Sequence, residues 1–148
     1  MRRAYALSEE EFCRAEAELE LAVSLGLIGQ AGFDALEKNE ENRRKKAAGE
    51  VFYGPCSFTR PMYLQYELTR FRLEFALPSR TVRDSGYCPE ITEAQKRTFY
   101  QENQDLLTRA QGDLFSYEEI EAVIEKRLRE AAYDRLVQDI LCQSETRE

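Results

Sequence analysis

The stretch Ala47–Phe75 constrains the fold more than any other part of the sequence. It contains four of the eight phenylalanines and three of the eight tyrosines. After Thr59 its apolar side chains recur at helical spacing on two sides of one predicted helix. A helix that is apolar on nearly every side must be covered on nearly every side. We therefore predict that the other segments pack around this helix.

Two apolar stripes define that predicted helix, which Thr59 caps and which has Pro61 in its first turn. The first stripe contains Met62, Tyr66, Thr69, Leu73 and Ala76, and the second contains Leu64, Leu68, Phe71 and Phe75. Two stripes are typical of a central core helix. The alternative is that one side is a binding or dimer surface.

A short β-prone segment, Val51–Tyr53, precedes this helix and is bounded by Gly49 on one side and by Gly54 and Pro55 on the other. The pattern predicts an extended strap at about residues 50–53. The strap either stands alone or pairs with a second copy of the chain.

Four further helices are predicted from capping signals and periodic apolar residues. The first, fourth and fifth helices start at three capping boxes, Ser8 with Glu11, Thr92 with Gln95 and Ser116 with Glu119. The first helix ends near Gly26, the second covers about Gly32 to Ala48, and the fifth reaches about Cys142.

The segments between and after these helices complete the predicted architecture. Pro78–Pro89 has no periodicity and is predicted to be the most mobile internal loop, and residues 143–148 are predicted to be a frayed tail. The fold class is therefore all-α, with about five helices around a central apolar helix and one short extended strap. We predict a single domain spanning residues 1–148.

Charge and hydropathy exclude several classes of partner. The formal charge of −7 argues against nucleic acid, whose binding surfaces are basic. No run of about 18 apolar residues is present to cross a membrane, and the N-terminus does not resemble a signal peptide. We predict a cytoplasmic protein as written, or an extracytoplasmic one if the sequence is a trimmed mature fragment.

Catalytic and metal-binding constellations are not indicated by the sequence. The absence of histidine removes histidine bases, Ser-His-Asp triads and the usual zinc spacings. We therefore predict no catalytic residues, no metal and no cofactor. The four cysteines are predicted to be reduced thiols, and the alternative is a disulfide between Cys56 and Cys88.

Several segments together resemble helical parts of parvulin-type foldases of the SurA and PrsA kind. The helix that leads into the parvulin domain resembles ITEAQKRTFYQENQDLL, and the helix that follows it resembles LFSYEEIEAVIEKRLREAAYDRLVQDIL. N-terminal segments of SurA-like proteins resemble ELAVSLGLI and KNEENRRKKAAGEVFYGPCSFTRPMYLQYEL. The resemblance covers about residues 16–141 and implies a fold like the SurA N-terminal domain.

The resemblance also implies what this chain lacks. Such foldases hold a whole parvulin domain where this chain has only Thr108–Asp113, between about residues 107 and 114. Parvulin sites also use paired histidines, and this sequence has none. The resemblance therefore implies a chaperone-like helical body without prolyl isomerase activity.

The functional prediction follows from that resemblance and from the aromatic stretch. We predict a non-catalytic, chaperone-like module that holds an extended or non-native polypeptide client on an aromatic surface. The predicted contact residues are Phe52, Tyr53, Phe58, Tyr63, Tyr66 and Phe71. The alternative is a dedicated assembly or maturation partner, or small subunit, of one enzyme, and a third is an enzyme that acts without histidine.

Oligomerisation is a separate prediction. The first and fifth helices each need a long partner, and the strap has no evident strand to pair with inside the chain. Exchange of helices between two copies would supply both. We therefore predict a homodimer formed by helix exchange.

Overall fold

The structure is a computed structural model that describes residues 4–47 and 59–146. Its helices are α1 Glu9–Ser24, α2 Phe33–Ala47, α3 Arg60–Ala76, α4 Arg80–Asp84, α5 Glu93–Glu102 and α6 Tyr117–Thr146, with a 3-10 helix at Gln104–Leu107. The described residues form no β-strand, and Thr108 and Leu114 make one isolated antiparallel bridge. The all-α prediction is confirmed for the described residues.

The start of α1 is fixed by the predicted capping box. The Ser8 hydroxyl accepts a hydrogen bond from the Glu11 backbone N–H at 3.2 Å, and the Glu11 carboxylate accepts one from the Ser8 N–H at 2.8 Å. The chain leaves the helix through Gly26, whose φ is 77°. A Cβ at this position would lie 3.1 Å from the Thr81 side-chain methyl carbon, so glycine suits both the backbone and the packing.

The main core lies where α6 packs against α1 and α3. Its largest fully buried side chains are Tyr5, Leu19, Leu21, Leu25, Leu64, Phe71, Phe75, Val82, Tyr133 and Val137. The element with the most helical partners is α6, because it also packs against α5. The organising helix is therefore α6, and not α3 as the sequence predicts.

A second, smaller core lies between α5 and the first half of α6. It contains Leu107, Tyr117, Ile120 and Ile124, with Phe99, Tyr100, Phe115 and Leu128 packed against them. The Tyr100 hydroxyl donates a hydrogen bond to the Phe115 carbonyl at 2.6 Å and so holds the segment that precedes α6 against α5. We call α5, the 3-10 helix and the first half of α6 the arm.

Three predicted boundaries differ from the structure or lie outside its described part. The segment Pro78–Pro89, predicted as a loop, contains α4, because the Ser79 hydroxyl accepts a hydrogen bond from the Val82 N–H at 3.4 Å and caps this short helix. The last helix continues to Thr146, beyond the predicted end at Cys142. The predicted strap at residues 50–53 lies outside the described residues.

The described residues also bear on three further predictions, which concern the cysteines, membrane-spanning helices and oligomerisation. Cys13, Cys88 and Cys142 are free thiols, and Cys56 lies outside the described residues. Within residues 4–47 and 59–146, no helix is both long and apolar enough to span a membrane. Both α1 and α6 find long partners within one chain. Homodimer formation and cellular location stay predictions.

Candidate interaction surface on helix α3

An exposed apolar stripe runs along α3. Met62, Tyr66 and Leu73 are 49%, 48% and 48% exposed. At 3.6 residues per turn these three residues and Thr69 fall in one narrow sector, opposite the side that carries the buried Leu64, Phe71 and Phe75. We call Met62, Tyr66, Thr69 and Leu73 the α3 stripe. Among the residues that the structure describes, the side of α3 with Leu64, Phe71 and Phe75 is the one packed into the core.

A groove of about 660 Å³ follows the α3 stripe. Its described lining residues are Pro61, Met62, Gln65, Tyr66, Thr69, Arg70 and Leu73, all of them on α3. The one charged lining residue among these, Arg70, is bound by Glu67 at 2.8 Å and by Glu74 at 3.4 Å. Because this guanidinium is already neutralised within its own helix, the groove offers mainly apolar contact.

The six residues predicted to contact a client fall in three different places. Tyr66 lies in the α3 stripe. Tyr63 and Phe71 are buried in the core. The other three, Phe52, Tyr53 and Phe58, lie outside the described residues. Met62 and Leu73 were not among the six, although the 3- and 4-residue spacing of their stripe was visible in the sequence.

Paired carboxylates can act as catalytic acid and base without histidine, so their surroundings bear on chemistry. The Lys96 ammonium lies between two of them, 3.5 Å from Glu93 and 2.8 Å from Glu121. A hydrogen bond from the Tyr117 hydroxyl, at 2.8 Å, is the main reason that the pKa of Glu93 is lowered. In this part of the described chain the paired acids are held by a cation, which suits an ion-pair network. No group of three or more metal-ligating side chains occurs among the described residues.

A polar cluster, buried at Glu18 and Tyr133 and partly exposed elsewhere, connects α1, α3 and α6. The Tyr133 hydroxyl donates a hydrogen bond to Glu18 at 3.1 Å, inside the core. Next to it, Asp134 accepts hydrogen bonds from Arg14 at 3.2 Å and from both terminal nitrogens of Arg72. Burial raises the pKa of Glu18, and the Tyr133 hydrogen bond and the Arg14 charge only partly oppose this.

Replacing Glu18 with glutamine should stabilise the fold at neutral pH. Because the pKa of Glu18 is higher in the folded chain than in the unfolded one, its favourable contribution is complete below the ordinary carboxyl pKa and is lost as the pH rises. Glutamine keeps the acceptor for Tyr133 without the buried charge. Chemical denaturation should therefore show a gain for Glu18→Gln at pH 7 that shrinks toward pH 4.

The control for this prediction is Glu16→Gln, on the same helix but exposed. It should change the free energy of unfolding at pH 7 by no more than about 0.5 kcal/mol, as is usual for an exposed position. If the curves of the wild type and Glu18→Gln run parallel between pH 4 and pH 7, the carboxylate is not destabilised by burial.

Comparison with solved structures identifies one kind of protein with this fold. The chain is similar to the GH136 lacto-N-biosidase from Eubacterium ramulus, with a TM-score of 0.73 and 24% identity over 90% of this chain. A second structure of that protein, in native form, gives a TM-score of 0.72 and 25% identity over 88% of this chain. The match spans only 28% and 27% of the length of those two chains. No protein-family model matches the sequence, and no curated protein matches it significantly.

These similarities correct the interpretation drawn from the sequence. The matching fold belongs to a glycoside hydrolase, so the resemblance to SurA and PrsA was wrong, and the chaperone-like function that it implied was wrong with it. The prediction of a protein that is not an enzyme is contradicted by the same finding, because both matching structures are of an enzyme. The alternative of an assembly partner gains no better support. The segments that resemble SurA and PrsA do not identify the fold, because capping boxes and amphipathic spacing occur in many helical proteins.

Proposed function

We propose that this chain is the helical part of a carbohydrate-active enzyme, a glycoside hydrolase of the lacto-N-biosidase type. The proposal rests on the difference between the share of this chain and the share of the solved structure that the match covers. The similarity takes in 90% of this chain but 28% of the Eubacterium ramulus enzyme. A domain that matches nearly throughout its own length is a unit of structure that the larger enzyme also contains.

In this proposal the helical part supplies a rigid body, and the reaction belongs to the whole enzyme. Glycoside hydrolysis uses two carboxyl groups about 5–5.5 Å apart in retaining enzymes and about 6.5–9.5 Å apart in inverting ones, one of which must carry a proton. Glu93 does not suit that proton donor, because its pKa is lowered. Because the match takes in only 28% of the Eubacterium ramulus enzyme, we assign the catalytic acid pair to the part of the enzyme beyond the matched region.

The test is the activity of the protein that contains this chain in its native host. A copy carrying an affinity tag is expressed in that host, purified under mild conditions and incubated with the p-nitrophenyl glycoside of lacto-N-biose. We expect release of intact lacto-N-biose. The p-nitrophenyl glycosides of galactose and of N-acetylglucosamine should be cleaved far more slowly, because a biosidase removes the disaccharide as one unit.

A mock purification from the untagged strain sets the background of this assay. Activity equal to that background would contradict the proposed function. So would stepwise release of galactose followed by N-acetylglucosamine, because that pattern is produced by two exoglycosidases.

A further inference from the structure

We propose that the α3 stripe is the surface against which the remaining part of this enzyme packs. The inference rests on the proposed function and goes beyond it, because it names the surface and its occupant. The occupant is an elongated apolar face of the enzyme's remaining, larger part. Three observations support this assignment: the grouping of exposed apolar side chains, the charge of the groove, and the size of the stripe.

The first observation is that the exposed apolar side chains on α3 form one group. Met62, Tyr66 and Leu73 share one sector over about three turns of α3, and Leu77, which caps the C-terminus of the helix, is 61% exposed. The other large exposed apolar residues that the structure describes are scattered, with Leu106 in the 3-10 helix, Val123 on α6, and Tyr87 and Leu114 between helices. Single exposed apolar residues are ordinary, whereas a contiguous patch marks an interaction site.

The second observation is that the described lining of the groove offers no available charge. Glu67 and Glu74 both hold Arg70, and the same guanidinium lies 5.1 Å from the centre of the Phe71 ring. A polar or anionic occupant would have to compete with these contacts. From Met62 to Leu73 the stripe spans about 17 Å along the helix axis. The apolar side of a helix or an apolar strand edge would fit a narrow, uncharged stripe of this length.

The third observation is that the stripe is too small to hold a separate protein by itself. Stable association between independent proteins buries about 800 Å² on each partner, and three half-exposed side chains on one helix offer far less. A second copy of the chain would meet the same limit. A contact within one enzyme can be stable with a smaller buried area. Its two surfaces are already close together, so little translational and rotational freedom is lost when they pack.

The experiment compares two charge substitutions in the tagged protein expressed in its host. Leu73→Asp places a carboxylate in the α3 stripe, and Leu106→Asp places one on the arm, at the most exposed of the described large apolar residues. Both side chains are exposed, so each substitution should leave the thermal midpoint of the isolated 148-residue chain within a few degrees of the wild type. In the whole enzyme we expect Leu73→Asp to lower lacto-N-biosidase activity by at least tenfold, and Leu106→Asp by less than twofold.

The outcomes separate the two proposals. If the unsubstituted protein has no activity, the proposed function fails. If it is active and Leu73→Asp behaves like Leu106→Asp, the proposed function stands and the assignment of the α3 stripe is wrong. A dimer of the isolated chain that Leu73→Asp dissociates would identify a second copy as the occupant and would overturn the assignment. Rescue by Leu73→Met, which restores an apolar side chain of similar size, would support it.

Discussion

Replacing Phe71 with alanine should lower the free energy of unfolding by about 3–5 kcal/mol, the usual cost of removing a buried phenylalanine. Phe71 is fully buried in the core between α3 and its neighbours. Truncation removes the transfer free energy of the ring and leaves a cavity that the surrounding helices fill only in part. Urea denaturation followed by circular dichroism measures the change.

The matched control for Phe71→Ala is Leu73→Ala, two residues along the same helix and on its exposed side. This change should cost less than about 1 kcal/mol in the isolated chain, because the side chain already contacts solvent. Equal costs at the two positions would mean that both sides of α3 are covered within the chain. The α3 stripe would then not be an open surface.

Replacing Arg129 with methionine should lower the free energy of unfolding by about 2–3 kcal/mol, because it removes charge-assisted hydrogen bonds from a buried site. Arg129 is buried on α6 and donates to the Pro89 carbonyl at 2.8 Å and to Glu125 at 2.8 Å. It also contacts the Cys88 sulfur at 3.2 Å. Methionine preserves the apolar stem and leaves the Pro89 carbonyl without this donor.

A second readout shows whether Arg129 holds the segment before α5 in place. The half-buried Cys88 thiol should react faster with a maleimide in Arg129→Met than in the wild type, when each site is followed by mass spectrometry. The control is Arg135→Met, an exposed arginine on the same helix, which should change neither stability nor labelling. An unchanged Cys88 rate in Arg129→Met would show that the arginine does not restrain this segment.

Most of the helices could be predicted from local sequence signals such as N-cap residues. Ser8, Thr59 and Thr92 each begin a helix where the sequence predicts one, because an N-cap hydrogen bond involves only residues three positions apart. The short helix α4 follows the same rule at Ser79 but was missed. A helix of this length has too few apolar residues for periodicity to reveal it.

Which side of α3 faces the core could not be predicted from local signals. Both stripes are apolar, and burial depends on where α1 and α6 lie in three dimensions. Tyr63 and Phe71 were predicted to contact a client because they are aromatic, but both are buried in the core. Met62 and Leu73 line the exposed groove instead. Aromatic content marks a residue for burial as readily as for binding.

The similarity to a glycoside hydrolase also could not be predicted from the pattern of residues. Helix-capping and periodicity report how helices begin and which sides are apolar, and they are common to unrelated helical proteins. The arrangement of α1, α3 and α6 in space distinguishes one helical fold from another, and only the three-dimensional comparison uses it.

The most direct test of the account is the oxidation rate of Met62 in two settings. The sequence contains two methionines, Met1 and Met62, and the latter lies at the start of the α3 stripe. The isolated chain and the whole enzyme purified from the host are treated with dilute hydrogen peroxide beside an exposed methionine peptide as an internal standard, and the peptide that contains Met62 is quantified by mass spectrometry. We predict that Met62 oxidises readily in the isolated chain and at least tenfold more slowly in the enzyme, because the remaining part covers the stripe. Equal rates in the two settings would contradict the account.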